Sequence, residues 1–423
     1  MENNRMDTLQ TFSMLKQEPE WAIAQRTQAY GLLDTLALPI IERVKFNRWH
    51  LFDTMIDSDE QSDETGYGVL TNLEHDKPLL VQYGTRTVFE QLPTSLVEQG
   101  VILTDLFTAM QEYPELVQAH LNTVVAVDED KLTAFNRAYM NSGVFLYVPK
   151  NVVIEEPIQT ILLQDSSIQE AFVKHVLIVA DVNSQLTYVE KLETFGNKKN
   201  TANIVVEVIA KDGAKIKYAA VDRLGEQTHA YINRRGRIQK DADINWAIGA
   251  LNDGNVIADF DSDLVGTGST SHVKVIGIST GKQVQGIDTR VTNYAKHSVG
   301  HILQHGVIMD KSTLTFNGIG HIIKGAKGAD AQQESRVLML SQFARGDANP
   351  ILLIDECDVT AGHAASVGQV DEEQLFYLMS RGLSQDDAEK LVIRGFLGAV
   401  ITEIPMRDIQ KEMIDVIDHK LGE

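Results

Sequence analysis

The sequence predicts a mainly β fold with helical flanks, its core a β-helix, and three observations carry that prediction. Short Val- and Ile-rich segments follow one another from Gly143 to about Gly368: VFLYVP, TILLQ, HVLIVA, QLTYVEKL, NIVVEVIA, KIKYAAVDRL, HAYINRRGRI, DINWAIGAL and HVKVIGIS. The turns between them recur at nearly equal intervals, with DGAKIKY beginning at Asp212, DADINWA at Asp241, GSTSHVKV at Gly268 and AKHSVGHI at Ala295. On either side of this region the texture is helical. A fixed period, here about 28 residues, marks a solenoid, in which each coil buries its inner face only by stacking on its neighbours. A β-sandwich also spaces strands regularly, but with turn signals every ~8–12 residues and no longer repeat.

In chain order, residues 1–140 form an N-terminal helical domain. Glu20-Trp21 opens an amphipathic helix through Leu38, with Trp21, Ala24, Ala29, Leu32, Leu33 and Leu36 at helical spacing and Pro39 closing it. Asp53 to Tyr67 is polar and acidic with few large apolar residues, an exposed or disordered loop. LVEQGVILTDLFTAMQEYPELVQAHL and LTAFNRAYMNSG add short helices. Residues 141–370 are the β-helix core. Residues 371–423 form a C-terminal helical domain: one helix from Glu372 to Arg381 behind an Asp371/Gln374 capping pair, one from Gln385 to about Thr402 behind Ser384 and Asp387, and a third after Pro405. These helices either cap the open end of the solenoid or offer a docking groove to another protein.

At 423 residues and 43% hydrophobic content, the chain has enough apolar side chain for a sizeable core and for two or three structural units. Its net charge of −21 opposes binding to nucleic acid or to anionic membrane surfaces. The basic run NRRGR, Asn233 to Arg237, reads as a solvated strand face. A single cysteine excludes an internal disulfide framework and fits a reducing compartment. With no signal-peptide pattern and no apolar run near eighteen residues, the expected location is the cytoplasm.

Several chemistries are missing from the sequence. No G-x-x-x-x-G-K-[ST] occurs, so ATP hydrolysis in any process this chain serves falls to a partner. H-E-x-x-H and C-x-x-C are absent, and neither GTGSTS nor GIGHIIKG completes a dinucleotide fingerprint. Three clusters remain. His297, His301 and His305, with His321 beyond, share one strand face, but strand residues four apart lie about 13 Å from each other, too far to share one ion. Asp259, Asp261 and Asp263 also share a face; they are either a solvent-facing row or the carboxylates of a β-helix polysaccharide lyase or hydrolase. The third lies in DECDVTAGH, where Cys357 precedes His363 among Asp355, Glu356 and Asp358. Thiolate and imidazole ligate iron–sulfur clusters. One of each completes no site alone, so a cluster here is transient or shared with a second subunit; otherwise the pair is a buried inert thiol and a hydrogen-bonded imidazole.

A resemblance joins these features. EPEWAIAQRTQAY, NSGVFLYVPKNVVIEEPIQ, HVLIVADVNSQLTYVE, GADAQQESRVLMLSQFA and the stretch from Pro350 through HAASVGQVDEEQLFYLMSRGL resemble the SufB/SufD family of iron–sulfur cluster assembly scaffolds, and more closely its SufD branch. The resemblance implies a right-handed parallel β-helix and a non-catalytic role. It implies pairing with a SufB-type paralogue, or with itself when alone, and docking of a SufC-type ABC ATPase on the C-terminal helices, where Gln374, Phe376, Tyr377, Leu378 and Arg381 are the expected contacts. His363 matches the family's histidine at the paired interface, a ligand to a transient cluster, with Cys357 a second candidate; no cofactor is expected in the isolated chain. Where many members of the branch carry a cysteine two residues before that histidine, this chain has Ala361.

Overall fold

The computed structural model describes residues 2–52, 77–404 and 407–422, so the acidic stretch Asp53 to Tyr67 lies outside the described residues. The core is a parallel β-solenoid of about eight coils, each giving one strand to either of two facing sheets. The first sheet runs through Leu79–Tyr83, Ile158–Ser166, Gln185–Gly196, Lys215–Arg223, Asp243–Ala250, Thr270–Ser279, Val299–Ile308, Asp330–Met339 and Thr360–Gln369. The second runs through Ser142–Val148, Phe172–Ala180, Asn200–Ala210, Thr228–Ile238, Asn255–Leu264, Val284–Asn293, Thr313–Ile322 and Arg345–Ile354. Lys215 pairs with Asp243, Asp243 with Thr270 and Thr270 with Val299, so that one step across the sheet equals one period of the turns. Asp241 and His297 adopt the left-handed backbone that those turns require.

Alternation along each strand sends every second side chain into the lumen. There Val144, Val176, Ile204, Ile232, Val256 and Ile287 of one sheet meet Leu162, Leu192, Ile216, Ile244, Val273 and Ile302 of the other. The same alternation corrects the reading of NRRGR. Arg234 points inward with Ile232 and Ile238 and is fully buried, held by Glu190 at 2.7 Å and by both oxygens of Asp222 at 2.7 and 2.8 Å. Its partners come from two neighbouring strands of the facing sheet, so the local sequence gives no hint of them. Only the odd-numbered members of the run face outward.

The N-terminal part is less helical than its sequence suggests, since Leu79–Tyr83 joins the first sheet and is flanked by the antiparallel strand Arg86–Gln91. Ile102–Asp105 likewise flanks Ser142–Val148 antiparallel in the second sheet. The helices Glu20–Leu32, Leu106–Glu112 and Lys131–Tyr139 cover the outer face of the second sheet through Phe145, Val173, Leu177 and Val179. Buried Glu207 anchors the loop before the last of these by accepting the N–H groups of Asn122, Val124 and Val125. The first of these helices stops at Leu32 instead of Leu38, because the next residues leave it to pack on the sheet. Ile41, Val44 and Phe46 lie against Val205, Tyr231 and Ile257 as a strap along the solenoid. Gly286 makes room for it, since a Cβ there would stand 2.6 Å from Val44 Cγ2.

The C-terminal helices do not cap the solenoid. Gln385–Ile401 and Arg407–Lys420 lie on the outer face of the first sheet, where Ile393, Leu397, Val400, Met413 and Ile417 cover Val189, Ala219, Ala247, Ile276 and Val307. That patch of the outer face is apolar, and the helices take it out of water.

Candidate functional site

The consequence of that packing is an unfinished end. Thr360–Gln369 and Arg345–Ile354 stand last in their sheets, each ten residues long and each with one edge unpaired among the described residues. Phe343, Leu353, Ile354 and Val367 are exposed around them. Natural sheets rarely leave two such edges bare, because bare edges recruit other strands.

Register fixes what stands at this end. One lumenal column runs from coil to coil through Tyr188, Tyr218, Trp246, Val273, Ile302 and Gln333 to His363. The aromatic rings at its start pack in tilted pairs, with centroids 5.2 and 4.7 Å apart. The column turns polar at Gln333, whose amide donates to the Ile351 carbonyl at 2.9 Å. His363 is therefore a lumen-side imidazole left exposed only because no further coil follows. Val367, on the same face, borders Gly346 across the lumen.

Cys357 lies in the loop between the two last strands and is exposed, not buried. Glu356 braces that loop by accepting the N–H groups of Gly325 at 3.0 Å and Cys357 at 2.9 Å, which hold its carboxyl down to about 2. The Cys357 thiol sits 3.4 Å from the same carboxylate. The loop thus offers a fixed negative charge and an accessible sulfur beside the open lumen. Among the described residues no three His, Cys, Asp or Glu side chains converge as a ready-made metal site.

The helix Glu372–Ser380 follows directly. Asp371 caps it as the sequence suggested, but by accepting from the Glu373 N–H, one residue short of the expected Gln374 partner. The helix has no buried residue: Phe376 is 75% exposed and Tyr377 56%, Gln374 is exposed and Leu378 is half-buried. Arg381 stacks over the Tyr377 ring at 5.1 Å and donates to its hydroxyl. Asp371, Gln374, Tyr377, Leu378 and Val392 line an open depression there.

The other sequence candidates lie elsewhere. Asp259, Asp261 and Asp263 do share the outer face of the second sheet, but they are not a free row. Asp261 contacts the Arg235 guanidinium at 3.0 Å and Asp259 lies 3.8 Å from it, while Glu129 grips the same guanidinium with both oxygens at 2.7 Å. Burial raises the Asp259 carboxyl well above its usual range, Asp263 to about 6 and Asp288 on the next strand to about 7. Through Arg235 and Glu129 the row ties the sheet to the loop that opens the helix Lys131–Tyr139. The histidines have separate partners: His301 pairs with Asp330 at 3.3 Å, His305 with the Phe396 carbonyl at 2.8 Å and Glu334 at 3.4 Å, and His321 with Asp355 at 3.4 Å. Sequence reading passed over His272, which the coil period puts directly across from His301.

A family model described as "SUF system FeS cluster assembly, SufBD core domain" matches residues 162–396, and one described as "SufBD protein N-terminal region" matches residues 76–160. The iron–sulfur cluster assembly protein SufD of Bacillus subtilis (strain 168) is 43% identical to this chain, over 98% of the chain and 97% of that protein. Iron–sulfur cluster assembly SufBD family proteins of Staphylococcus saprophyticus and Staphylococcus epidermidis are each 26% identical, over 93% of this chain and 88% of their own lengths.

Proposed function

Because the chain belongs to the SufB/SufD family of iron–sulfur cluster assembly proteins, in its SufD branch, we propose that it is a non-catalytic scaffold subunit whose open end completes a nascent cluster site with a partner. The observation that carries this reading is the exposed lumenal imidazole of His363 between two unpaired ten-residue edges. The partner is a SufB-type paralogue, a solenoid of matching cross-section that supplies strands to both edges and thiolate to the cluster. The cluster is cargo built at that interface. Neutral His363 offers a nitrogen lone pair to iron, and Cys357 is the second candidate donor.

A SufC-type ABC ATPase docks on the helix Glu372–Ser380, through Gln374, Phe376, Tyr377, Leu378 and Arg381. In favour of this stand the apolar exposure of that helix and the absence of a phosphate-binding P-loop from this sequence. In this scheme residues 1–140 brace one side of the solenoid, 141–370 carry the interface and 371–423 receive the ATPase, and the complex works in the cytoplasm. No helix among the described residues is long and apolar enough to cross a membrane.

The test is anaerobic purification of the chain co-expressed with its paralogue and ATPase, with iron and sulfide assayed on the complex. His363→Ala is expected to leave the three proteins together and lower cluster content several-fold. Iron unchanged in an intact complex removes the ligand role, and recovery of the chain alone removes the scaffold reading.

A further inference from the structure

The solenoid period brings together two histidines that stand one coil apart in sequence. His272 and His301 are direct cross-strand neighbours on the outer face of the first sheet, both half-buried, with ring centroids 5.0 Å apart and planes at 69°. We propose that they form a bis-imidazole chelate for one divalent transition-metal ion, with Asp330 orienting His301.

The spacing is what such a chelate needs. A metal–nitrogen bond of about 2.1 Å and about 1.1 Å more to the ring centre put each centroid about 3.2 Å from a shared ion. Two rings so bound stand about 4.5 Å apart for a right angle at the metal and about 5.2 Å for a tetrahedral one. The observed 5.0 Å lies between, so little rearrangement is required. The tautomer is set as well. His301 Nε2 lies 3.3 Å from Asp330 Oδ2, so this nitrogen donates its proton to the carboxylate and Nδ1 keeps its lone pair. Pairing of a ligating imidazole with a carboxylate is the usual way to fix ring orientation and raise basicity. Asp330 is itself held, its other oxygen accepting from Gln332 Nε2 at 2.9 Å.

The surroundings define the kind of site. The nearest cation, Lys274, is engaged by Glu403 at 2.7 Å, which offsets its repulsion of an incoming ion. His305 is occupied by the Phe396 carbonyl and cannot join. Two protein ligands leave the remaining positions to water, so the ion is exchangeable and the site is not a folding element. Imidazole selects zinc, iron, cobalt, nickel and copper over magnesium and calcium. The pair is distinct from His363: His301 aligns through Gln332 with Gly362, two strands away and on the opposite face from the lumen.

The experiment is an anaerobic Co²⁺ titration of the full chain carrying His363→Ala and Cys357→Ser, which silences the terminal coil. One Co²⁺ per chain is expected, with visible d–d absorption, and no competition from a large excess of Mg²⁺. His272→Gln and His301→Gln should each weaken binding at least tenfold at unchanged thermal stability, since both rings are half-exposed. Asp330→Asn should weaken it about 10–100-fold. In the parent chain, Co²⁺ should selectively broaden the imidazole NMR signals of His272 and His301, a readout independent of any substitution at the pair. Affinity unchanged in both Gln variants, or no Co²⁺ bound by the parent, overturns the proposal.

Discussion

Replacing Arg234 with Met removes the guanidinium that joins Glu190 to Asp222 inside the lumen. All three side chains are fully buried, and the guanidinium makes contacts of 2.7 and 2.8 Å to both carboxylates. Breaking a buried ion group by taking out one partner costs about 3–5 kcal/mol, because the remaining charges lose their compensation without regaining water. At about 2.1 cal/mol/K per residue, unfolding this chain carries an entropy of about 0.9 kcal/mol/K, so the midpoint should fall by about 3–6 °C at pH 8. Burial already raises the Glu190 carboxyl above its usual range. A carboxyl raised in the folded state favours folding below its unfolded pKa and loses that contribution as pH rises through its folded value. Without Arg234 the Glu190 carboxyl gains a further reason to stay protonated, so the deficit of the variant should shrink at pH 5. Replacing Glu190 and Asp222 with Leu as well should recover most of the loss, since a well-packed apolar set is about as stable as a buried ion group. Thermal melts followed by circular dichroism at pH 5, 6.5 and 8 measure all of this. A midpoint within about 1 °C of the parent at pH 8, or a deficit that grows at pH 5, would refute the reasoning.

Two further outcomes are expected. Asp288, raised to about 7 chiefly by burial, opposes folding increasingly as pH climbs from about 4 through 7, so Asp288→Asn should raise the melting midpoint at pH 8 and leave it unchanged at pH 4; equal effects at both values would show that its charge is not the cause. Phe376→Asp with Tyr377→Asp should abolish capture of the ATPase in a pull-down without moving the melting midpoint, because both rings are exposed; retained capture would move the docking surface off this helix.

The turn period was the most legible feature of the sequence, because a solenoid repeats its covalent pattern as faithfully as its shape. What the period could not disclose is which face of a strand points inward when both are buried. Strands covered on both sides read as continuous apolar runs. The C-terminal helices therefore gave no sign that they would lie along the first sheet and not across its end. Arg234 was misread for a related reason: its partners Glu190 and Asp222 arrive from separate coils, and a charged triplet looks the same in sequence whether it faces water or two carboxylates. His363 entered as a candidate through motif likeness and not through physics, although its column is implied by the repeat once registers are known. His272 was missed for want of that step, since adding one coil to its number leads straight to His301.

The two ends of the solenoid are not alike, and the difference governs how copies associate. The leading end finishes in antiparallel strands of six and four residues, Arg86–Gln91 and Ile102–Asp105, while the trailing end offers two parallel-sheet edges of ten residues each. A trailing edge finds no match of its own length on a leading end, so head-to-tail stacking, which would propagate into a filament, is disfavoured by length and strand direction together. An isolated peptide strand covers only one of the two edges and leaves the other open. What satisfies both at once is another trailing end approached face to face, an arrangement that closes on itself after two subunits. On the proposed reading, the same asymmetry that leaves a sticky surface exposed favours a closed pair over a filament.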